Sequence, residues 1–129
     1  MQLSLLDRSA PTRLSSGFPE AMVLLDCETT GGKATFHRII EIGLIVVESG
    51  QLIEKWQTFI NPRVALPPFI QRLTGIDPGI LDDAPLFSEI AEELLSKLRG
   101  RILVAHNAGF DYSFLRNEFD RAGFSYRAK

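Results

Sequence analysis

The sequence predicts an α/β domain built on a mixed sheet, and three observations predict it. A short apolar run, AMVLLDC (Ala21–Cys27), precedes two runs rich in β-branched and aromatic residues, Arg38–Glu48 and Gln51–Ile60. An apolar stripe at helical spacing then occupies Phe87–Leu98. A further apolar run, RILVAH (Arg101–His106), leads into a second helical segment. The order βββαβα gives three antiparallel strands, then a parallel strand, flanked by helices.

Each element follows from local chemistry. Pro19 and the Gly31-Gly32 pair bound the first strand. Ser49-Gly50 is a tight connection between the next two strands, and Asn61-Pro62 ends the meander. Pro67-Pro68 opens a short helical turn, FIQRLTGI. In the long helix Phe87, Ile90, Ala91, Leu94, Leu95 and Leu98 share one face, opposite Ser88, Glu89, Glu92, Glu93 and Lys97. Pro85 fits its first turn and Gly100 its C-terminal cap. RILVAH reads as a second buried strand, and a helix from Phe110 to Ala122 closes at Gly123.

With 129 residues, 45% of them hydrophobic, the chain has material for one domain core. Residues 1–20 lack periodicity and read as an N-terminal arm, with the domain in 21–129. The lone Cys27 excludes an internal disulfide and suits a reducing compartment. Asp7 and Arg8 interrupt any signal-peptide core, and no apolar run is long enough to span a bilayer. These features predict a cytoplasmic protein with no membrane partner. A net charge of −2 argues against coating nucleic acid by charge alone, though not against handling phosphate through bound cations.

The informative stretch is LLDCETTGG, Leu24–Gly32. Asp26 and Glu28, two apart on a strand, share one face, with Cys27 turned to the other as a small buried hydrophobe. They sit at the strand's C-terminal end, where open α/β sheets place their ligand sites. HNAGFDYSF puts Asp111 just after a later strand, in the first turn of the last helix. If the two strands are neighbours, three carboxylates converge as hard oxygen ligands for Mg²⁺ or Mn²⁺. A solvated strand end is the plain alternative for the first pair. An EF-hand reading fails because its twelfth position would be His37, and GGKAT lacks the earlier glycine of a phosphate loop.

In order, LLDCETTGG, RIIEIG, LTGI and HNAGFD resemble the motifs of the DnaQ-like (DEDDh) 3′–5′ exonucleases. That family includes the proofreading epsilon subunit of bacterial DNA polymerase III. The resemblance implies an RNase H-like fold and two metal ions, Mg²⁺ or Mn²⁺, one activating a water and the other stabilising the leaving 3′ oxygen. It makes Asp26, Glu28 and Asp111 the catalytic metal ligands. It also implies that Thr29, Thr30 and Gly31 meet the terminal nucleotide, that Leu73, Thr74 and Gly75 pack near its base or sugar, and that Asn107 and Phe110 shape the site.

From the residues themselves, His106 reads as a hydrogen-bonded structural histidine. Phe110, Phe114, Leu115 and Phe119 read as core more readily than as base-stacking platforms. Lys33, His37 and Arg38 form a small basic group between the first two strands, open to either phosphate or solvent. Glu41 stands unexplained in an otherwise apolar strand.

The family's last motif, a histidine and an aspartate on a C-terminal helix, has no counterpart here, since His37 and His106 both lie upstream. Against the resemblance, this reads first as a fragment whose C-terminal part is missing, inactive or nearly so alone, with a naturally truncated inactive relative, or another chain supplying the missing residues, as alternatives. The expected function of the intact protein is metal-dependent removal of nucleotides from single-stranded DNA 3′ ends, in replication or repair, with a DNA polymerase subunit as a candidate partner. RNA ends or oligoribonucleotides, and a non-catalytic module that binds nucleic acid or a polymerase, stay open as alternatives.

Overall fold

The computed structural model describes residues 20–128. Of the arm at 1–20, all but Glu20 lies outside the described residues. Four strands, β1 (Ala21–Thr29), β2 (Ile39–Glu48), β3 (Gln51–Phe59) and β4 (Ile102–Val104), form one sheet in the order β3-β2-β1-β4. The first three pair antiparallel, and β4 runs parallel to β1 with Met22 opposite Ile102. Between and after them lie helices α1 (Pro68–Thr74), α2 (Pro78–Asp82), α3 (Phe87–Leu98) and α4 (Ala108–Arg121).

The β2–β3 hairpin turns on Ser49 and Gly50, with φ of 50° and 76°. Two left-handed residues in succession match the twist of the flanking strands. Strand alternation then sorts the sheet's two faces. Val23, Leu25 and Cys27 of β1 and Ile42, Leu44 and Val46 of β2 pack against the stripe of α3 and against Phe114, Leu115 and Phe119 of α4. Met22, Leu24, Ile45 and Val47 occupy the opposite face. A smaller cluster of Leu66, Ile70, Ile76 and Leu81 seats α1 and α2 on Ile40.

Sequence and structure differ at the short elements. Helix α2 has only five residues, too few for a periodic signal, and is set by Asp77, whose Oδ1 accepts from the Gly79 N–H at 3.0 Å. Pro85 lies just outside α3, whose first turn instead closes with Glu89 Oε1 accepting from the Leu86 N–H at 2.8 Å. The expected buried strand Arg101–His106 shrinks to three residues. As an edge strand, it buries Leu103 and leaves Ile102 and Val104 each 37% exposed.

One polar interaction reaches into the core. The carboxylate of Glu118 on α4 is fully buried. It accepts from Arg38 Nε at 3.0 Å and Nη2 at 2.8 Å, and from the Ile39 N–H at 2.9 Å. Arg121 Nη1 stands 3.3 Å away. The cost of desolvating this carboxylate is offset by charge-assisted bonds to most of its lone pairs. The pair ties the start of β2 to the second half of α4, so Arg38 belongs to the structure's frame rather than to a solvated loop. Truncating Glu118→Ala strands a half-buried guanidinium and a buried main-chain N–H, and is expected to destabilise the chain by about 3 kcal/mol. Urea unfolding measures this; a loss below about 0.5 kcal/mol would contradict the assignment.

Candidate active site

β1 extends two residues past its apolar run and carries Asp26 opposite Gly43 and Glu28 opposite Glu41. The register slips after Glu28, where the strand turns away. Beyond it, the Thr30 N–H donates to the Arg38 carbonyl at 2.9 Å, and the Arg38 N–H donates to Thr30 Oγ1 at 3.0 Å. Thr30 is buried and its hydroxyl is engaged in holding this crossing. Thr29 Oγ1 donates to the Gly31 carbonyl at 2.7 Å. A Cβ on Gly31 would lie 2.5 Å from the His37 ring, so a side chain here requires that ring to move.

Because β4 pairs parallel to β1, the chain leaving β4 enters α4 beside the C-terminal end of β1. Asp111 occupies the first turn of α4, 5% exposed. Its carboxyl lies against Cys27, close enough to interact with the thiol and the main chain there. Burial pushes that carboxyl above its ordinary range, the Cys27 hydrogen bonds pull it back, and the charge of Asp26 raises it again. Glu28 is raised too, first by burial, then by Asp26 and Glu41, with Asp111 adding a smaller share. Cys27 is the buried core residue the alternation predicts, and burial beside Asp111 pushes its thiol well up.

The three predicted carboxylates therefore lie within each other's fields. They are not drawn into a ready-made cage: among the described residues, no three Asp, Glu, His or Cys side chains form a metal-binding set. The fit is one of chemistry. Mutually repelling oxygen donors, with the proton affinity of Glu28 and Asp111 raised, are what a hard divalent cation would neutralise.

Glu41 joins this group, facing Glu28 across the ladder and accepting from Gln57 Nε2 at 2.9 Å. Its signal in the sequence was a charge inside an apolar strand. The LTGI segment sits on α1 near Ile40, the neighbour of Glu41. Leu73 is 68% exposed there. Thr74 Oγ1 donates back to the Ile70 carbonyl at 2.7 Å, and Gly75, with φ of 74°, ends the helix in the left-handed region. Asn107 is exposed at the start of α4, and half-buried Phe110 tilts onto Phe114 with ring centroids 4.7 Å apart. Phe114, Leu115 and Phe119 are core, as their spacing predicts. His106 departs from expectation. It is exposed and makes no hydrogen bond among the described residues, because β4 ends before reaching it.

A sequence model of the RNase_T exonuclease family matches residues 23–129. The 3′-5′ exonuclease DinG of Staphylococcus aureus strain MRSA252 is 40% identical over 106 residues, which cover 82% of this chain and 12% of that protein. Its counterpart in strain USA300 is 39% identical over the same length. The chain thus spans about an eighth of these relatives. Among solved structures, Escherichia coli exonuclease I in complex with a dT13 oligonucleotide superposes with a TM-score of 0.74 at 21% identity, over 83% of this chain and 25% of that one. An exonuclease I complex with SSB-Ct gives 0.75 at 21% identity, over 84% of this chain and 25% of that one. These neighbours share the RNase H-like fold, with three antiparallel strands and one parallel strand among helices. On the match over residues 23–129, the chain belongs to the RNase_T exonuclease family.

Proposed function

We propose that this domain serves a metal-dependent 3′–5′ exonuclease that removes nucleotides from the 3′ ends of single-stranded DNA. The observation that carries the proposal is the meeting of Asp111 with Asp26 and Glu28, from two separate stretches of chain, in one half-buried and mutually repelling group. The similarity to proteins named 3′-5′ exonuclease DinG and the fold shared with exonuclease I, solved with oligonucleotides, support the substrate class.

Asp26, Glu28 and Asp111 would hold Mg²⁺ or Mn²⁺, and the cation, when bound, supplies Lewis-acid stabilisation of the phosphoryl oxygens and a more acidic water. The chain's own residues do the positioning. Burial of Asp111 beside Cys27 keeps the acid on α4 close to the strand pair. Thr29 and the main chain through Thr30 and Gly31, braced by Arg38, border the terminal nucleotide. Leu73, projecting from α1, packs against its base, with Thr74 and Gly75 fixing the end of that helix. Asn107 and Phe110 close the other side. The proton acceptor for the attacking water is assigned to no residue of this chain, and we propose that these 129 residues are catalytically incomplete alone.

The test is a single-stranded DNA, labelled at its 5′ end, incubated with Mg²⁺ and the full-length protein carrying this sequence. A ladder shortening from the 3′ end is expected, with Asp26→Asn and Asp111→Asn each slowing it by at least about 100-fold. A ladder unchanged in either variant contradicts the proposal. The same assay on RNA decides the sugar.

Two further outcomes follow for the 129-residue chain. Mn²⁺ is expected to raise its melting temperature by a few degrees, and by much less in Asp111→Asn. The pH dependence has a definite sign. Carboxyls whose folded pKa is raised favour the folded state below about pH 4 and lose that contribution as pH climbs through their raised values. With EDTA present, Asp111→Asn should therefore gain stability relative to the native chain between about pH 4 and pH 7. Melting curves across that range measure it, and a flat or reversed difference would show that the carboxyl is not held in a repelling site.

A further inference from the structure

Behind the carboxylates, at the same end of the sheet, lies an open cavity of about 270 Å³ bordered by Arg38, Asn61, Arg63, Ser88, Glu118 and Arg121. Three guanidinium groups share it with one carboxylate, so its wall carries a clear positive excess. Glu118 does not exhaust the donors. It occupies Arg38 Nε and Nη2, and the nearest contact of Arg38 Nη1 is the Pro62 carbonyl at a long 3.5 Å. Arg121 divides itself between Glu118 at 3.3 Å and the Ala34 carbonyl at 2.8 Å. The guanidinium of Arg63 has no ion pair among the described residues. Arg63 stands exposed with φ of 57°, its N–H donating to Asn61 Oδ1 at 2.9 Å. Ser88, in the first turn of α3, adds a hydroxyl and an N–H of the kind helix starts leave without an intrahelical acceptor.

Fixed guanidinium forks with spare N–H groups around a small open cavity suit a tetrahedral oxyanion. The placement names the source. Glu118 lies two helical turns beyond Asp111 on α4, on nearly the same face and about 10 Å away along the axis. As a straight line that spans roughly three nucleotides at the rise of stacked bases, about 3.4 Å each, and a strand must pass around the buried Phe114 and Leu115 between them.

We propose that this arginine-lined cavity is a phosphate subsite that grips the backbone of the substrate strand a few nucleotides upstream of the 3′ end held at Asp111. The strand's polarity rests on the exonuclease reading; the oxyanion chemistry of the cavity does not. Arg63 is the residue to change, because it is exposed and bears no core contact.

Fluorescence anisotropy of oligothymidylates of about two and about ten nucleotides, titrated with the full chain over a range of salt, reads the subsite. Arg63→Gln is expected to weaken the longer ligand about 5-fold, to lower its salt slope by about 0.7, and to leave the dinucleotide unchanged; Arg63→Lys should restore most of the loss. Inorganic phosphate followed by ³¹P NMR is the second arm. Phosphate binding lost in Arg63→Gln with the longer oligonucleotide unaffected would keep an oxyanion site but assign it to a free phosphate and overturn the strand contact. Equal binding of both ligands by the native chain and Arg63→Gln, or no phosphate or oligonucleotide binding at all, overturns the subsite. Phosphate binding that depends on Arg63, in a full-length protein that makes no ladder, would sink the exonuclease reading and leave the subsite standing.

Discussion

The parallel pairing of β1 with β4 is the constraint on which the rest of the structure depends. It is short, Met22 to Leu24 against Ile102 to Val104, yet it delivers the first turn of α4 to the C-terminal end of β1. Without it Asp111 would have no reason to approach Asp26 and Glu28. With it, acids more than 80 residues apart in the chain share one field, and the newcomer is buried beside Cys27. A fold that buries charges of one sign side by side spends stability unless something of opposite charge joins them. The electrostatics of the site and its chemistry are thus one statement made twice.

The opposite arrangement holds the other half of α4. There, a buried carboxylate meets charge of opposite sign, and Glu118 with Arg38 and the Ile39 N–H needs no external partner. The two groups lie on one helix, about 10 Å apart, one satisfied internally and one not. This contrast sets the helix firmly against the sheet at one point while leaving its N-terminal turn short of positive charge. The same contrast explains why Arg38, at the mouth of β2, cannot be exchanged for a generic surface cation.

Much of this was legible in the sequence where one kind of periodicity ran long enough. The strands through Ala21 and Ile39 follow from short apolar and β-branched runs, the strand through Gln51 from alternation, and the stripe of α3 and the core face of α4 from helical spacing. Asp26, Glu28 and Asp111 followed from strand geometry together with the ordered motifs. Short-range and long-range effects escaped. Helix α2 is a single turn governed by one capping aspartate, and β4 is an edge strand whose outer residues meet solvent. Glu118 stands in the sequence among Arg116, Asn117, Asp120 and Arg121; its burial depends on a guanidinium 80 positions earlier, which no local pattern encodes. Glu41 gave a visible anomaly, but only the register with Glu28 shows what it touches. His106 went the other way, since a strand expected to reach it stops at Val104.

The central claim is that the acids at the C-terminal end of β1 and in the first turn of α4 form one cation site. Crystals of the chain grown with Mn²⁺, measured at a wavelength where manganese scatters anomalously, test it most directly. The account requires an anomalous peak with carboxylate oxygens of Asp111 and of Asp26 or Glu28 at about 2.1 Å. A well-ordered lattice in which manganese binds elsewhere, while those carboxylates pair with protein groups or point into water, would contradict it.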